Sequence, residues 1–371
     1  MFSAMPVASA IAATFEELAA QAAAARRANG IPNAIELYRQ AVQLRPSWVE
    51  GWWFLGTLSY ASYQYAGCES AFDEFVKLDD KRPVAWALLG LCEFETGKYD
   101  QSLEHLRRGL AAAKELGPEV EAGVRFHYGL LLSRAGFFEQ GKRELERYIG
   151  GDAREPMLIA AIGLNALHLP LLPKDVPPES MDAVMKAGTA ERLWLSGDVE
   201  KAGAAFRELV TAYPNLPGVH YVYGVYLSYS SSDDAIAELR RELELHPRRL
   251  DAAIMLALLL VHSDDPAAAL PYAKEVASAH PSDALAEYAY GEALLAAGDL
   301  RPAVARLEAA EQLDPGALEY HMALATAYSR AGRYDDSRRE RYKSMEMSAG
   351  IESGDAGPRS ARAVNERPPE N

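Results

Sequence analysis

Residues 281–315 read PSDALAEYAYGEALLAAGDLRPAVARLEAAEQLDP, and this stretch sets the pattern for the whole chain. It holds two helical patterns joined by an Ala-Gly-Asp turn, and Pro315 closes it. Apolar residues in each pattern recur three or four positions apart, so they share one helix face. These residues are Tyr290, Gly291 and Leu294 in the first pattern and Ala303, Leu307 and Ala310 in the second. The stretch predicts two helices packed through small and large side chains.

The same pair of patterns recurs along the chain with a fixed period. The prolines that close four such stretches lie 33, 34 and 34 residues apart, at Pro214, Pro247, Pro281 and Pro315. Before each proline, a small residue is followed four positions later by a second residue on the same face. These pairs are Ala202 and Phe206, Ala235 and Leu239, Ala269 and Ala273, and Ala303 and Leu307. A fixed period of this size indicates stacked structural repeats.

The residues at fixed places resemble the tetratricopeptide repeat, which carries W-x2-L-G in its first helix and A-x3-F…P in its second. The matching residues are Trp52, Leu55 and Gly56, then Trp86, Leu89 and Gly90, and for a second helix Ala34, Tyr38, Ala41 and Pro46. The resemblance covers about residues 14–343. It implies an all-α fold, a right-handed α-solenoid of about nine helix-turn-helix repeats. In this family, the first helices line a concave groove that holds ligand peptides.

The pattern divides the chain into five segments. We expect a frayed N-terminus (1–13), an N-terminal repeat array (14–168), a Pro-rich joint (169–178), a C-terminal repeat array (179–347) and a disordered tail (348–371). Four prolines within nine residues exclude a helix from the joint and favour an extended path. Its leucines and valine predict a segment ordered against the helices, and an exposed linker is the alternative.

Several local features carry expectations of their own. The second helix of the third repeat is expected to continue through Ala113 to Gly117-Pro118. Asp265 is expected to cap the helix that begins at Pro266, and Pro271 to kink it. The last helix is predicted from Asp335 to about Lys343.

Composition limits the class of partner and the compartment. The chain has 371 residues with a net charge of -15, which argues against nucleic acid and anionic membranes. No apolar run is long enough to span a membrane. The two cysteines, Cys68 and Cys92, exclude a disulfide framework and suit a reducing compartment. We therefore predict the cytoplasm, and a periplasmic or secreted location is the alternative if the true start lies upstream.

Aromatic residues of the first helices are the candidates for partner binding. In the tetratricopeptide family, places five, nine and twelve of the first helix tend to face the groove. The residues predicted to bind a partner are Trp53, Thr57, Tyr60, Phe94, Phe126, Trp194, Tyr221 and Tyr288. Large, stiff aromatic side chains often supply much of an interface's binding energy. Burial between neighbouring repeats is the alternative role for them.

Other candidate sites receive structural interpretations. No H-E-x-x-H, G-x-S-x-G or phosphate-binding glycine motif is present, so we predict no enzyme, metal or cofactor. Cys68 and Cys92 are interpreted as small apolar filler, with a redox pair as the less favoured alternative. The arginines at 240, 241, 248 and 249 are interpreted as a solvated face near a helix end, with an anion or nucleic-acid patch as the alternative. In the N-terminal half, places five and nine lack the Lys, Asn and Arg with which some family members bind a carboxylate.

These observations favour a non-enzymatic scaffold that binds an extended or helical segment of a partner protein in its groove. The sequence identifies neither that partner nor the oligomeric state. One alternative is a regulatory or enzymatic subunit with its site at residues 155–180, where the Pro-rich joint interrupts a regular array. Another is an exported assembly factor of the same fold.

Overall fold

The computed structural model describes residues 13–148 and 156–352, and these residues contain α-helices and short 3₁₀ turns but no β-strand. They divide into two compact units. Unit 1 takes the described residues up to Asn165 together with Pro170–Val176, and unit 2 takes Ala166–Leu169 and the described residues from Pro177 onward.

Unit 1 contains four helix pairs and most of one further helix. Its helices are α1 (Phe15–Arg27), α2 (Ile31–Leu44), α3 (Val49–Ala61), α4 (Tyr65–Leu78), α5 (Pro83–Glu95), α6 (Tyr99–Leu110), α7 (Pro118–Arg134), α8 (Phe138–Tyr148) and α9 (Pro156–Ala166). After α9 the chain makes a 3₁₀ turn at Pro173–Asp175 and enters α10, so α9 has no second helix after it. This interruption matches the break in the sequence pattern.

Unit 2 contains five helix pairs. Its helices are α10 (Pro178–Leu195), α11 (Val199–Ala212), α12 (Val219–Leu227), α13 (Ser232–Leu245), α14 (Leu250–His262), α15 (Pro266–Ala279), α16 (Ala284–Ala297), α17 (Leu300–Leu313), α18 (Leu318–Arg330) and α19 (Tyr334–Glu352). Each first helix packs along its own second helix, which in turn packs on the next first helix. The predicted all-α helical repeat fold is confirmed.

The small and large residues of the pattern hold each pair of helices together. Ala303 and Leu307 of α17 are both fully buried. A Cβ atom on Gly291 of α16 would lie 2.6 Å from Cγ of Leu307, so only glycine permits this approach without a shift. The small residues therefore set the distance between the helices, and the large residues fill the space that remains.

A second recurring contact ties four of the repeats to the repeat before them. At the place of the family's tryptophan, a ring nitrogen hydrogen-bonds to the carbonyl oxygen six residues earlier. The pairs are Trp52 with Pro46 (2.8 Å), Trp86 with Asp80 (2.8 Å), His220 with Pro214 (2.9 Å) and His321 with Pro315 (3.1 Å). The end of one repeat is thereby fixed to the first helix of the following repeat.

The turn between the two helices of a repeat also has a fixed place. Asn29, Tyr63 and Gly97 lie 34 residues apart and have positive φ values of 57°, 58° and 81°. Glycine adopts this left-handed conformation without strain, whereas Tyr63 is a bulky residue that rarely does. Tyr63 adopts this strained conformation, and its ring is exposed at the turn.

The helix termini confirm some local expectations and correct others. Asp265 caps α15, because its side chain accepts a hydrogen bond from the Ala268 amide at 3.1 Å. The helix continues through Pro271. The expectation that the second helix of the third repeat continues past Ala113 was wrong. It ends at Leu110, and a 3₁₀ turn brings Leu116 back into the core of unit 1.

The end of the chain also differs from the prediction. Helix α19 runs to Glu352, beyond the predicted end near Lys343, so residues 348–352 are helical. The Lys343 ammonium contacts carboxylates of Glu311 and Glu340 and thereby fixes α19 on α17. The expected frayed segment 1–12 and the expected tail from 353 onward lie outside the described residues.

The preferred interpretation of the cysteines was wrong. Cys68 of α4 and Cys92 of α5 are fully buried and joined by a disulfide, with their Cα atoms 6.0 Å apart. The sequence could not show this, because the two residues are 24 positions apart and meet only when the second and third repeats stack. The bond crosslinks two neighbouring repeats of unit 1.

We expect the disulfide to stabilise unit 1. Closing a loop of this length restricts the unfolded chain and contributes about 3 kcal/mol to the free energy of unfolding. Urea unfolding of the oxidised protein and of the dithiothreitol-reduced protein compares the two states of one sequence. A Cys68→Ala/Cys92→Ala variant is the control, because its stability should not respond to dithiothreitol. Equal midpoints for the oxidised and reduced wild-type protein would contradict the expectation.

Candidate protein-binding surfaces

Three predicted groove residues lie on α3 and are partly occupied by contacts inside unit 1. The Trp53 ring packs against Phe72 and Phe75 of α4, with ring centroids 5.7 and 5.5 Å apart. The Thr57 hydroxyl donates to the Trp53 carbonyl of its own helix at 3.0 Å. Tyr60 is half-buried beside Tyr65, and burial raises its pKa, with smaller contributions from Tyr65 and Glu95. Trp53 therefore serves mainly to join α3 to α4.

Phe126, another predicted groove residue, is buried. It belongs to a closed cluster with Leu130 of α7, Leu145 of α8 and Leu172 of the Pro-rich joint. Phe94 of α5 is half-buried at the edge of this cluster. The first-helix side of unit 1 is thus filled at its fourth repeat by residues of the same chain.

The Pro-rich joint supplies unit 1 with a segment that is extended at Leu172 and turns at Pro173–Asp175, so the expected extended path holds only in part. Leu172 has extended backbone angles (φ -89°, ψ 155°), and its side chain is fully buried in the cluster with Phe126. Two residues later, the Lys174 ammonium lies 5.2 Å from the Tyr99 ring centroid, and a hydrogen bond to the Tyr99 hydroxyl raises the pKa of Lys174. Residues 170–176 therefore combine an apolar anchor with a cation over an aromatic ring.

The predicted residues of unit 2 lie at different ends of their helices. Trp194, next to the last residue of α10, lies 5.6 and 5.2 Å from the rings of Tyr226 and Tyr229. Tyr221 is the third residue of α12, and its ring lies 4.7 Å from that of His168. Trp194 thus belongs with the turn at the end of α12, and Tyr221 with the beginning of that helix.

A regular strip of side chains runs over the first helices of unit 2. We call it the first-helix face of unit 2. It consists of Tyr221, Ile254, Tyr288 and Met322, which recur every 33 or 34 residues, and of Val225, Leu258, Glu292 and Thr326, one helical turn later. Ile254 is buried, most of the others are half-buried, and Met322 is 57% exposed. Helix α16 packs between α14 and α18, so the strip continues across these repeats.

One acidic group interrupts this apolar strip. The Glu292 carboxylate forms no hydrogen bond or ion pair with the part of the chain that the structure describes, and burial raises its pKa. The ring of Tyr288, one helical turn earlier, lies 4.9 Å from that of Tyr320. Burial raises the pKa of Tyr288 well above its usual range, and the charges of Glu292 and Glu319 add to that shift. The face therefore offers apolar surface next to a carboxylate that has no ion-pair partner among the described residues.

Sequence reasoning missed three exposed residues. Met322 stands at the same place in the ninth repeat as Tyr288 in the eighth, so the 34-residue register could have identified it. Tyr63 and Tyr229 lie in turns between the helices of a repeat, and no first-helix pattern includes them. The sequence feature that could have identified Tyr63 and Tyr229 is an aromatic residue at a turn, where glycine or a polar residue is usual.

The arginines of the sixth repeat do not all form a solvated face. Arg249 is largely buried and donates to the Asp251 carboxylate at 2.7 Å and to the Leu167 carbonyl at 3.2 Å. Asp251 also hydrogen-bonds to His168 at 2.8 Å. Burial would raise the pKa of Asp251, but His168 and Arg249 together hold it well below its usual range. These contacts fasten residues 166–169 within unit 2, which explains the burial of Arg249.

One group of side chains has the composition of a metal site. Glu311, His321 and Glu340 each offer a ligand atom within 4.8 Å of the others. The Lys343 ammonium already lies 3.1 and 3.2 Å from the two carboxylates, and His321 bonds to Glu340 and to the Pro315 carbonyl. A protein cation therefore compensates these charges, and the group is explained as an ion-pair network between helices.

Candidate chemical groups at residues 155–180 do not form a comparable cluster. Lys174, Asp175 and Glu179 are all exposed, and Lys174 forms a hydrogen bond with Tyr99.

Among the described helices, none is both long and apolar enough to cross a membrane.

Comparison with known proteins matches parts of the chain to a repeat family. The family model described as tetratricopeptide repeat matches residues 60–116, 229–284, 254–301 and 288–350. No curated protein sequence matches the chain. A solved structure of MamA, residues 41 to the end, from Desulfovibrio magneticus RS-1 is 24% identical over 47% of this chain and 97% of its own, with a TM-score of 0.41. A chain of the APC/C hetero-tetramer Cut9–Hcn1 is 13% identical over 90% of this chain and 66% of its own, with a TM-score of 0.43.

The buried His220 should make the stability of unit 2 depend on pH. Burial lowers its pKa, but hydrogen bonds to Glu238 (2.6 Å) and Pro214, with the nearby Glu242 charge, more than offset this, so the pKa is raised overall. The folded state then holds a proton that the unfolded state releases above about pH 6.5. This contribution is present below that pH and is lost as pH rises through the raised pKa.

We therefore expect His220→Gln to lose more stability at pH 6 than at pH 8.5. Urea unfolding of both proteins across this range measures the difference, which cancels the effects of other titrating groups. A constant difference between wild type and variant would show that His220 does not carry the proton.

Proposed function

Because the chain belongs to the tetratricopeptide-repeat family, whose members are protein-interaction scaffolds, we propose that it binds a segment of a partner protein on the first-helix face of unit 2. The proposed scaffold is non-enzymatic. The partner contributes an extended or helical segment, and its apolar side chains cover Tyr288, Met322 and their neighbours.

The observation that carries this proposal is the segment that unit 1 holds from its own chain. Leu172 is extended and fully buried in the same cluster as Phe126 and Leu130, which stand at first-helix places five and nine of the fourth repeat. The corresponding places of unit 2 include Tyr288 and Met322, which the described residues leave partly exposed. This supports an extended segment of the same chemistry as the ligand of unit 2.

The energetic argument rests on preorganisation. Tyr288 is held by Tyr320, and the helices that carry the face are fixed by buried contacts on both sides. Binding would then order the partner but little of the scaffold, which limits the entropy lost on association. Fully covering one Met- or Tyr-sized side chain contributes about 1.5–3 kcal/mol. Two or three such contacts would offset much of the free-energy cost of association.

A single substitution on the open part of the face tests the proposal. Met322→Lys places a charge where the partner's apolar residues would lie, and the side chain is exposed, so the fold should be unaffected. We expect recovery of specific partners from the source cell, measured by quantitative affinity purification, to fall about ten-fold.

Met345→Lys on α19 is the matched control, because Met345 is 65% exposed and lies outside the first-helix face. Partners lost with Met322→Lys and retained with Met345→Lys support the proposal. If every specific partner is retained by both variants, and circular dichroism shows both to be folded, the first-helix face is not the binding site.

The disulfide favours a second candidate, an exported assembly factor of the same fold. Buried disulfides persist in oxidising compartments and are rare in the cytoplasm, so the Cys68–Cys92 bond speaks for export. Trapping thiols with a maleimide reagent in intact cells, before lysis, should then find both cysteines oxidised and the protein in a non-cytoplasmic fraction. Two free thiols in a cytoplasmic protein would exclude this candidate.

A further inference from the structure

A second exposed apolar surface lies at the turns of unit 2, away from the first-helix face. We call it the tyrosine patch, and it consists of Trp194, Leu195, Val199, Tyr226 and Tyr229. Tyr229 is 79% exposed, and Leu195 and Val199 beside the neighbouring turn are also exposed. Contiguous exposed apolar surface of this kind marks an interaction site more often than scattered single residues do.

The patch is built rigidly. The Trp194 ring meets the rings of Tyr226 and Tyr229 edge-on, and the Tyr226 hydroxyl donates to the Val199 carbonyl at 2.9 Å. A Cβ atom on Gly203 would lie 2.6 Å from the Tyr226 hydroxyl oxygen, so a glycine leaves room for this ring. The rings are therefore held in place before any ligand arrives.

Three carboxylates flank the patch in the sequence. Asp233 and Asp234 lie in the first turn of α13, four and five residues after Tyr229, and Glu200 follows Val199. Within residues 13–148 and 156–352, none of these three carboxylates has an ion-pair partner. Residues 228–238 contain no Lys or Arg, and the nearby Lys201 is paired with Asp198 at 2.5 Å.

Elsewhere in the chain, arginine side chains stack on aromatic rings. Guanidinium groups lie over the rings of Trp86 (Arg108, 3.4 Å), Phe15 (Arg45, 3.5 Å), Phe54 (Arg26, 3.9 Å) and Tyr328 (Arg333, 4.2 Å). No described Lys or Arg side chain lies over Tyr229. An aromatic face attracts a cation through its quadrupole, and adjacent carboxylates strengthen that attraction.

We propose that the tyrosine patch binds an arginine-bearing segment of a partner protein, with guanidinium groups stacked on Tyr229 and paired with Asp233 and Asp234. The rings supply the apolar and cation–π contact, and the carboxylates supply the charge. The occupant is a basic segment, in contrast to the apolar segment proposed for the first-helix face. The two surfaces share no residue, so each proposal can fail independently of the other.

The test uses nona-arginine as the probe and the full chain as the receptor. The indole N–H resonance of Trp194, assigned by its absence in Trp194→Phe, reports binding at the patch in a ¹H–¹⁵N spectrum. We expect this resonance to shift with nona-arginine and not with nona-glutamate. Tyr229→Ser should weaken the affinity about three- to five-fold, because it removes the exposed ring.

Charge-matched variants separate the patch from the overall acidity of the chain. Asp233→Asn/Asp234→Asn should weaken binding by about three-fold or more and reduce its dependence on salt. Glu275→Gln/Glu346→Gln removes two exposed carboxylates elsewhere, and Tyr342→Ser removes a tyrosine that is 63% exposed on α19. These two controls should bind as the wild-type protein does.

Three results would overturn the proposal. The first is a Trp194 resonance that does not move with nona-arginine. The second is unchanged affinity in a folded Tyr229→Ser protein. The third is equal weakening by Asp233→Asn/Asp234→Asn and Glu275→Gln/Glu346→Gln, which would mean that nona-arginine responds only to net charge.

Discussion

The close approach of the two helices within each repeat is the constraint on which the other features depend. At Gly291 the space beyond the backbone is already filled by Leu307, and at Gly90 it is filled by Leu106. Once this distance is fixed, the ring at the place of Trp86 can reach the carbonyl six residues earlier, and the next repeat stacks in a defined register. A larger residue at the small positions would separate the helices and disturb that hydrogen bond as well. The packing within a repeat and the stacking between repeats therefore depend on the same distance between helices.

This dependence explains which features the sequence could predict. The 34-residue period arises from local sequence patterns. The helix pairs and the lone α9 could therefore be predicted from residues close together in the chain. The disulfide and the burial of Phe126 depend on residues that meet only in the folded state, Cys68 with Cys92 and Phe126 with Leu172. The end of α6 was missed for the same reason, because burial of Leu116 redirects the chain. A place in the repeat predicts which way a side chain points, but the neighbours decide whether it is accessible.

The two units illustrate this distinction on equivalent faces. In unit 1, Phe126 and Leu130 occupy groove places, yet the Pro-rich joint covers them with Leu172 and sets Lys174 over Tyr99. In unit 2, no comparable described segment covers Tyr288 and Met322. Leaving such apolar surface in water is unfavourable by about 25 cal/mol for each Å². The two faces therefore differ in accessibility although they occupy equivalent places in their repeats.

The one-dimensional construction of the fold allows these surfaces to have separate chemistry. In a stack of repeats, stability comes from each repeat and its contacts with immediate neighbours, so residues at the turns are almost independent of those on the first helices. Tyr229 and Asp233 can be replaced without changing the Gly291–Leu307 approach or the His321–Pro315 hydrogen bond, since these lie in other repeats. The same independence explains why the repeat pattern establishes the fold and leaves the partner open. The residues that define the repeat are buried between helices, and those available to a partner lie at places where the repeat pattern tolerates many side chains.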